Sequence, residues 1–259
     1  MSNKDWWKPE NLKDSEIAFL EESSLEDLDT RNDFGSYKIM RIKDDVKSSQ
    51  ILSHNDLRPT YRVKSIRKIL GQNRYDKILD VGCGLGYTTK ALADVFPDAN
   101  VSGIDISEDA ILYASRKFEE CEFRCEAIDP LDIDQHLEYD LITAFEFYPF
   151  TRTNLLDDHI SYITHLTKDM RLGGRLVIFQ LWDNPNSLSV NYGDLRKYFS
   201  HLTFNLYDMP IRKIGILVQS RRLAILISIF LRPIIRAITK REFGRNKVII
   251  VTKTQNPGT

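Results

Sequence analysis

An acid followed by three alternating glycines is the stretch of this sequence with the clearest chemistry. Within residues 77–89, a short apolar run contains Asp80 and is followed by Gly82, Gly84 and Gly86, after which a helical pattern begins. Glycines at alternate positions let the backbone pass close to a ligand and adopt positive φ angles. The first N–H groups of the helix point at whatever lies on the turn. The stretch therefore predicts a nucleotide-like ligand that is held largely by backbone groups.

The spacing of the glycines narrows the choice of ligand. A dinucleotide site has the pattern G-x-G-x-x-G, and here the bulky Tyr87 stands at the position of its third glycine. Asp80 suits a ligand that carries a positive amine better than it suits a pyrophosphate. The stretch resembles motif I of the class I S-adenosylmethionine-dependent methyltransferases, [DE]-x-G-x-G-x-G, in which Asp80 and all three glycines match. A glycine turn from another α/β domain is the alternative interpretation.

A second acid supports an adenosine-containing ligand. Residues 88–96 carry a helical apolar stripe, and residues 101–106 form a second apolar run that contains Asp105. This is a β-α-β unit, in which a carboxylate at the end of the second strand can bind both hydroxyls of a ribose. Because NAD has the same ribose, the choice of S-adenosylmethionine rests on Asp80 and Tyr87.

The resemblance extends, in order and at normal spacing, over residues 57–253. It implies an α/β fold with a doubly wound, seven-stranded and mostly parallel sheet, the Rossmann-like methyltransferase fold. We predict a methyltransferase domain at residues 57–259 and an N-terminal extension at residues 1–56, made of short helices or only partly ordered. A helix over residues 63–70 is expected, with Pro59 near its entry.

The resemblance assigns roles around the turn. It implies that Asp80 orients the amino-acid end of the cofactor, that Asp105 binds its ribose and that Asp129 hydrogen-bonds its adenine. A plain turn residue before Pro130 is the alternative for Asp129. The complete set of expected cofactor-binding residues is Asp80, Gly82, Cys83, Gly84, Gly86, Asp105, Ile106, Ile128, Asp129 and Phe145.

Catalysis by methyl transfer depends mainly on alignment, because a sulfonium is already a good leaving group. A hydroxyl acceptor would also profit from a general base, for which Glu146 is the first candidate, followed by His54 and His159. Structural histidines are the alternative for the last two. The expected acceptor-binding residues, which lie in loops after two of the strands, are Tyr148, Arg152 and Trp182. No metal-ligand cluster is apparent, so metal-independent chemistry is expected.

Composition excludes several classes of protein. The 259 residues carry a net charge of −1, which argues against general nucleic-acid binding. The stretch at residues 146–149 also lacks the paired prolines that follow strand 4 in many methyltransferases of nucleic-acid bases. Three cysteines are too few for a disulfide framework. No signal peptide and no apolar run of about 20 residues is found, so a cytosolic location is expected.

The segment at residues 211–241 departs from the family pattern. It forms a helical insertion before the last strand, with a very apolar face, a basic face and a kink expected at Pro233. Such a helix suits an anionic membrane surface, but a lid over the acceptor site or a homodimer contact are alternatives. The residues expected to share the basic face are Arg221, Ser228, Arg232, Arg236, Thr239 and Lys240.

The leading hypothesis is a methyltransferase that uses S-adenosylmethionine and acts, on oxygen, on a small molecule, a sugar or a lipid-linked glycan. The second is an NAD(P)-dependent oxidoreductase or epimerase, although a Tyr-x-x-x-Lys pair is not found in a suitable place. The third is a non-catalytic nucleotide-binding protein at a membrane surface.

Overall fold

A seven-stranded sheet forms the centre of the molecule. The computed structural model describes residues 49–128, 138–182, 184–211, 214, 218, 220–239 and 246–254. The strands are β1 (Lys77–Val81), β2 (Asn100–Asp105), β3 (Glu122–Cys125), β4 (Tyr139–Phe145), β5 (Met170–Leu181), β6 (Leu202–Asp208) and β7 (Asn246–Lys253).

The strand order is β3-β2-β1-β4-β5-β7-β6. Strands β1 to β5 pair in parallel, and β7 lies antiparallel between β5 and β6. The expected seven-stranded, mostly parallel sheet is therefore confirmed. Because the order reverses between β1 and β4, the carboxyl ends of these two strands border the crevice in which open α/β sheets bind ligands.

Helices cover both faces of the sheet. They are α1 (Ser49–Leu70), α2 (Tyr87–Val95), α3 (Glu108–Lys117), α4 (Tyr148–Thr151), α5 (Leu156–Lys168), α6 (Tyr192–Tyr198) and α7 (Arg221–Thr239), with a 3₁₀ turn at Leu188–Asn191.

Alternating side chains of the strands feed two separate cores. Ile78 and Leu141 face the layer that contains α1 and α2, whereas their neighbours Leu79 and Ile142 face the layer that contains α5 and α6. Parallel strands that are buried on both faces read as nearly continuous apolar runs. All seven residues of β4 are buried in this way. This strand is thus the rigid support for the loop that follows it.

The turn between β1 and α2 needs its glycines for two reasons. Gly82 and Gly86 have φ angles of 67° and 78°, a region that side chains rarely adopt. A Cβ atom on Gly86 would also lie 2.8 Å from the Cβ of Ala114 and 2.8 Å from the ring of Phe123. The turn is therefore packed directly against α3 and β3, as well as bent.

The first helix differs from the expectation. It begins at Ser49 rather than at Val63, and Pro59 lies inside it, where the sequence had placed a helix entry. A proline removes one backbone donor from a helix, but Pro59 is buried here, so its packing compensates for part of that loss. The helix crosses the boundary drawn between residues 56 and 57. The domain division stays a prediction, and residues 1–48 lie outside the described part of the chain.

Two other regions are irregular. Gly173 and Gly174 lie within β5, and the pairing with β4 shifts register there. Residues 188–198 form a 3₁₀ turn followed by α6. Neither irregularity affects the carboxyl ends of β4 and β5. Within the described part of the chain, no helix has the length and apolarity that crossing a bilayer requires.

Replacing Gly86 by alanine should be far more damaging than the same change at Gly71. Both glycines have positive φ, but a Cβ atom on Gly71 meets nothing within 4 Å. Gly71→Ala should lower the free energy of unfolding by about 1–2 kcal/mol from backbone strain alone. Gly86→Ala should lower it by about 1–3 kcal/mol more because of the steric overlap. Urea unfolding of both variants measures the difference, and equal losses would contradict the packing described for the turn.

Candidate functional site

Asp80 is a buried carboxylate in the middle of the sheet, with only 1% of its surface exposed. The hydroxyl of Thr89 in α2 donates to its Oδ2 over 2.8 Å, and the hydroxyl of Thr143 in β4 donates to its Oδ1 over 2.7 Å. Burial raises the pKa of Asp80 to about 7, although the two hydroxyl donors act in the opposite direction. The groups that hold this carboxylate carry no charge, so a cation near it would stabilise its ionised form.

A glycine in the neighbouring strand β2 leaves the space in which Thr89 can reach Asp80. Gly103 pairs with Asp80, and a Cβ atom on Gly103 would lie 2.8 Å from Oγ1 of Thr89 and 3.0 Å from Cys83. The Cys83 thiol is buried, and burial raises its pKa well above the ordinary value. Its backbone N–H donates to the carbonyl of Ile104. Cys83 thus contributes to the expected site by joining the turn to β2, and its thiol stays protonated.

Asp105 fixes the other side of the glycine turn. Its Oδ2 accepts the N–H of Gly84 over 2.8 Å, and its Oδ1 accepts the N–H of Ser107 over 2.9 Å. Ser107 in turn caps α3, because its hydroxyl accepts the N–H of Ala110. Burial raises the pKa of Asp105, and the backbone donors oppose that rise. Beside it, Ile106 is 47% exposed, so an apolar surface borders the carboxylate.

The residues that follow β4 approach the turn from the opposite side. Glu146 has a φ of 55°, a strained value for a residue other than glycine, and its N–H donates to the carbonyl of Phe179. This bend places the ring of Phe147 over Gly82, where a Cβ atom would lie 2.7 Å from the ring. Phe145 instead stacks on Phe179 inside the core, with ring centroids 5.6 Å apart. The aromatic side chain next to the turn is therefore Phe147, and the side chain expected there, Phe145, is a core residue.

Glu146 is held at this rim by the first helix. Its Oε1 lies 2.6 Å from Nη2 of Arg62, and about half of the Glu146 side chain remains exposed. The Arg62 guanidinium also lies 4.4 Å above the ring of Phe179. Glu146 thus has a fixed direction beside Phe147, as a group acting on an acceptor would need.

His159 has a structural environment. It is fully buried; its Nδ1 is 3.0 Å from the amide nitrogen of Asn191, and its Nε2 is 3.1 Å from the carbonyl of Thr153. An Asn N–H donor and a carbonyl acceptor define the neutral ring with its proton on Nε2. Burial also lowers the pKa of His159. With both nitrogens engaged inside the protein, the geometry does not support the expected role as a base.

The remaining candidates are distributed along the same edge of the sheet. Tyr148 is the first residue of α4, and Arg152 is an exposed residue directly after that helix. Trp182 follows β5, packs edge-on against Tyr192 at 5.5 Å and has the Lys247 ammonium 4.8 Å from its ring. These three positions thus follow the carboxyl ends of β4 and β5, as expected of an acceptor site.

The structure describes less of the surroundings of three other expected site residues, Ile128, His54 and Asp129. Ile128 is half-buried against the core on the α5 side of the sheet. His54 lies in α1, and nothing further is described of its side chain. Asp129 lies outside the described residues. In the part of the chain that the structure describes, no group of three His, Cys, Asp or Glu side chains is arranged to hold a metal ion.

Sequence reasoning missed three residues that shape the site. Thr89 and Thr143 position Asp80, and Arg62 holds Glu146. Thr143 had a detectable signal, because it is a polar residue within the otherwise apolar residues 141–145. Thr89 lies nine positions from Asp80, whereas Arg62 lies 84 positions from Glu146 and had no local signal.

Comparisons with known proteins identify a methyltransferase domain. Residues 78–169 match the family model described as "Methyltransferase domain". A malonyl-[acyl-carrier protein] O-methyltransferase of Acetivibrio thermocellus is 48% identical over 69 residues, which cover 26% of this chain and 24% of that protein. A ubiquinone biosynthesis O-methyltransferase of Idiomarina loihiensis is 26% identical over 141 residues, which cover 51% of this chain and 55% of that protein. The match thus spans a quarter to about half the length of these relatives.

Solved structures support the same fold over a longer range. The plantazolicin methyltransferase BpumL, in complex with a pentazolic desmethylPZN analog and SAH, superimposes with a TM-score of 0.54 at 16% identity. The superposition covers 86% of this chain and 95% of that protein. Residues 78–169 thus match a methyltransferase domain, and the superposition shows that the chain has the fold of a methyltransferase. In this fold and in its glycine turn, the chain is similar to the class I S-adenosylmethionine-dependent methyltransferases.

Proposed function

We propose that this protein transfers a methyl group from S-adenosylmethionine to an oxygen atom of a small acceptor. The observation that carries the proposal is the pair of buried acids, Asp80 and Asp105, at the ends of adjacent parallel strands on either side of the glycine turn. The proposed acceptor is a small molecule, a sugar or a lipid-linked glycan.

The chemistry of the two acids suits the two polar ends of this cofactor. Asp80 keeps free lone pairs beyond the two it uses for Thr89 and Thr143, and it lacks a charged partner among the groups that hold it. The ammonium group of the cofactor would supply the missing charge. Asp105 would accept the ribose hydroxyls, and the exposed side chain of Ile106 offers an apolar surface to the adenine ring.

The bound cofactor would supply an activated methyl group on a sulfonium. The protein then has to align the acceptor and exclude water. The ring of Phe147 lies over Gly82, and the carboxylate of the preceding residue, Glu146, is held by Arg62. We assign Glu146 the role of accepting the proton of a hydroxyl acceptor. Oxygen is favoured because the two relatives described above are both named O-methyltransferases.

A panel of ligands tests the cofactor. Isothermal calorimetry should show binding of S-adenosylmethionine and S-adenosylhomocysteine, and no binding of NAD at millimolar concentration. Asp105→Ala should weaken binding of both sulfur nucleosides about tenfold to a hundredfold, since it removes a charged acceptor of hydrogen bonds. The affinity of Asp105→Asn, which keeps one oxygen acceptor, should lie between the affinities of the unchanged protein and of Asp105→Ala. Asp98→Ala, at an exposed turn, serves as the control. Uptake of NAD, or equal affinity of Asp105→Ala and the unchanged protein, would refute the assignment.

The affinity for S-adenosylmethionine should depend on pH through Asp80. Its pKa of about 7 means that the carboxyl is mostly neutral at pH 6 and mostly ionised at pH 8. A cationic ligand favours the ionised form, so this contribution to binding is present above pH 7 and is lost as the pH falls. The ratio of the affinities of the unchanged protein and Asp80→Asn should therefore increase about tenfold from pH 6 to pH 8. Taking this ratio cancels the titration of the ligand amine, and a ratio that stays constant would exclude direct charge pairing.

Replacing Glu146 by glutamine should separate catalysis from cofactor binding. Glu146→Gln keeps the shape and one acceptor for Arg62 but cannot accept a proton. We expect an unchanged dissociation constant for S-adenosylhomocysteine and a loss of about a hundredfold or more in methyl transfer. Transfer of radiolabelled methyl groups into fractionated cell extract measures the rate, and Arg152→Gln tests acceptor binding in the same assay. Full activity of Glu146→Gln would show that no base is supplied from this position.

A further inference from the structure

Helix α7 packs with its polar side against the protein. Nη2 of Arg221 donates to the carbonyl of Asp208 over 2.8 Å, and Nη2 of Arg232 donates to the carbonyl of Met209 over 3.2 Å. Between them, the hydroxyl of Ser228 accepts the N–H of Ile211 over 2.9 Å. The side of the helix that the sequence identified as basic is therefore used to hold it to the end of β6.

The opposite side of α7 is apolar and faces solvent. Phe230 is 72% exposed, and four other large apolar side chains are each about half exposed. At 100° per residue, most of these residues form one strip along the helix, opposite Ser228. We call this set the apolar strip: Leu223, Leu226, Ile229, Phe230 and Ile234. A contiguous strip of this kind on a soluble surface usually marks a site of interaction.

The charge of the surrounding segment indicates what kind of surface covers the strip. Residues 211–247 contain ten Lys or Arg residues and one acidic residue, Glu242, although the whole chain has a net charge of −1. Because two copies of this segment would bring like charges together, the composition disfavours a second copy of the chain as the partner. An anionic lipid surface complements both the basic charge and the apolar strip.

The position of α7 connects this surface with the candidate site. Strands β5 and β6 are both antiparallel to β7, so β6 runs in the same direction as β1 and β4. Helix α7 is held to the residues that end and follow β6, and thus lies at the rim where the glycine turn is found. Tyr61 and Ser65 of α1 line one small cavity together with Arg221 and Ala224 of α7.

We propose that α7 lies flat in the interface of an anionic bilayer, with the apolar strip inserted among the acyl chains. The basic composition of residues 211–247 favours attraction to anionic headgroups, and Arg221 and Arg232 on the inner side keep the helix attached to the protein. In this orientation the carboxyl ends of the strands, with the candidate site, lie close to the lipid. The inference rests on the orientation of α7 and is independent of the methyl acceptor.

Vesicle flotation of the full chain tests this inference. The protein should float with vesicles of 30% phosphatidylglycerol in phosphatidylcholine, less so in 0.5 M salt, and far less with pure phosphatidylcholine. The double variant Leu226→Gln/Phe230→Gln should bind the anionic vesicles at least about tenfold more weakly, because two side chains no longer leave water. The matched control, Leu112→Gln/Leu172→Gln, changes two leucines that are also exposed but lie on other elements, and it should bind normally.

Three results would overturn the proposal. The first is absence of binding to anionic vesicles, and the second is equal binding by the Leu226→Gln/Phe230→Gln variant and the unchanged protein. The third is an unchanged protein that binds no lipid and sediments as a dimer, when the Leu226→Gln/Phe230→Gln variant sediments as a monomer and the control variant does not. Circular dichroism and thermal unfolding verify that both double variants are folded, so that a loss of binding is assigned to the surface.

Discussion

A carboxylate buried among uncharged partners is the constraint on which the site depends. Asp80 joins three elements, since its own strand β1 is linked through Thr89 to α2 and through Thr143 to β4. Burial without a cation keeps its pKa near 7. Near neutral pH this carboxyl is therefore only partly ionised, and a positive group close to it would favour the ionised form.

The same rim is assembled from distant parts of the chain. Asp105 determines the shape of the glycine turn through the N–H of Gly84, and the strained bend at Glu146 brings Phe147 onto it from β4. Arg62 then connects the rim to α1. Asp80, the glycine turn and Asp105 thus lie within one β-α-β unit, whereas the surroundings of Glu146 need α1, β4 and β5 to be packed together.

The local parts of this arrangement could be predicted from the sequence. The strands, the glycine turn and the acids Asp80 and Asp105 are recorded in short patterns, and the order of the elements followed from them. Contacts such as Arg62 to Glu146, 84 positions apart, depend on how α1 packs beside β4 and have no local signal. The position of Pro59 inside α1 was missed for a similar reason. Proline usually marks a helix end, and here the burial of Pro59 in the folded protein compensates for part of the lost backbone hydrogen bond.

Helix α7 shows a different limit of sequence reasoning. Its pattern defines one polar and one apolar face, but the pattern does not state which face meets the protein. The usual arrangement buries the apolar face; here carbonyl groups at the end of β6 accept hydrogen bonds from Arg221 and Arg232, so the polar face is turned inward. The polar face is held by backbone carbonyls of residues 208 and 209, a contact that hydrophobic periodicity does not record.

This mode of attachment has a consequence for how the protein can diverge. Every residue type presents a backbone carbonyl, so positions 208 and 209 can change identity during evolution without losing the acceptors that Arg221 and Arg232 use. Selection on the attachment then acts mainly on the helix. The outward side chains are free to drift toward whichever surface a descendant protein meets, while the joint to the catalytic scaffold persists.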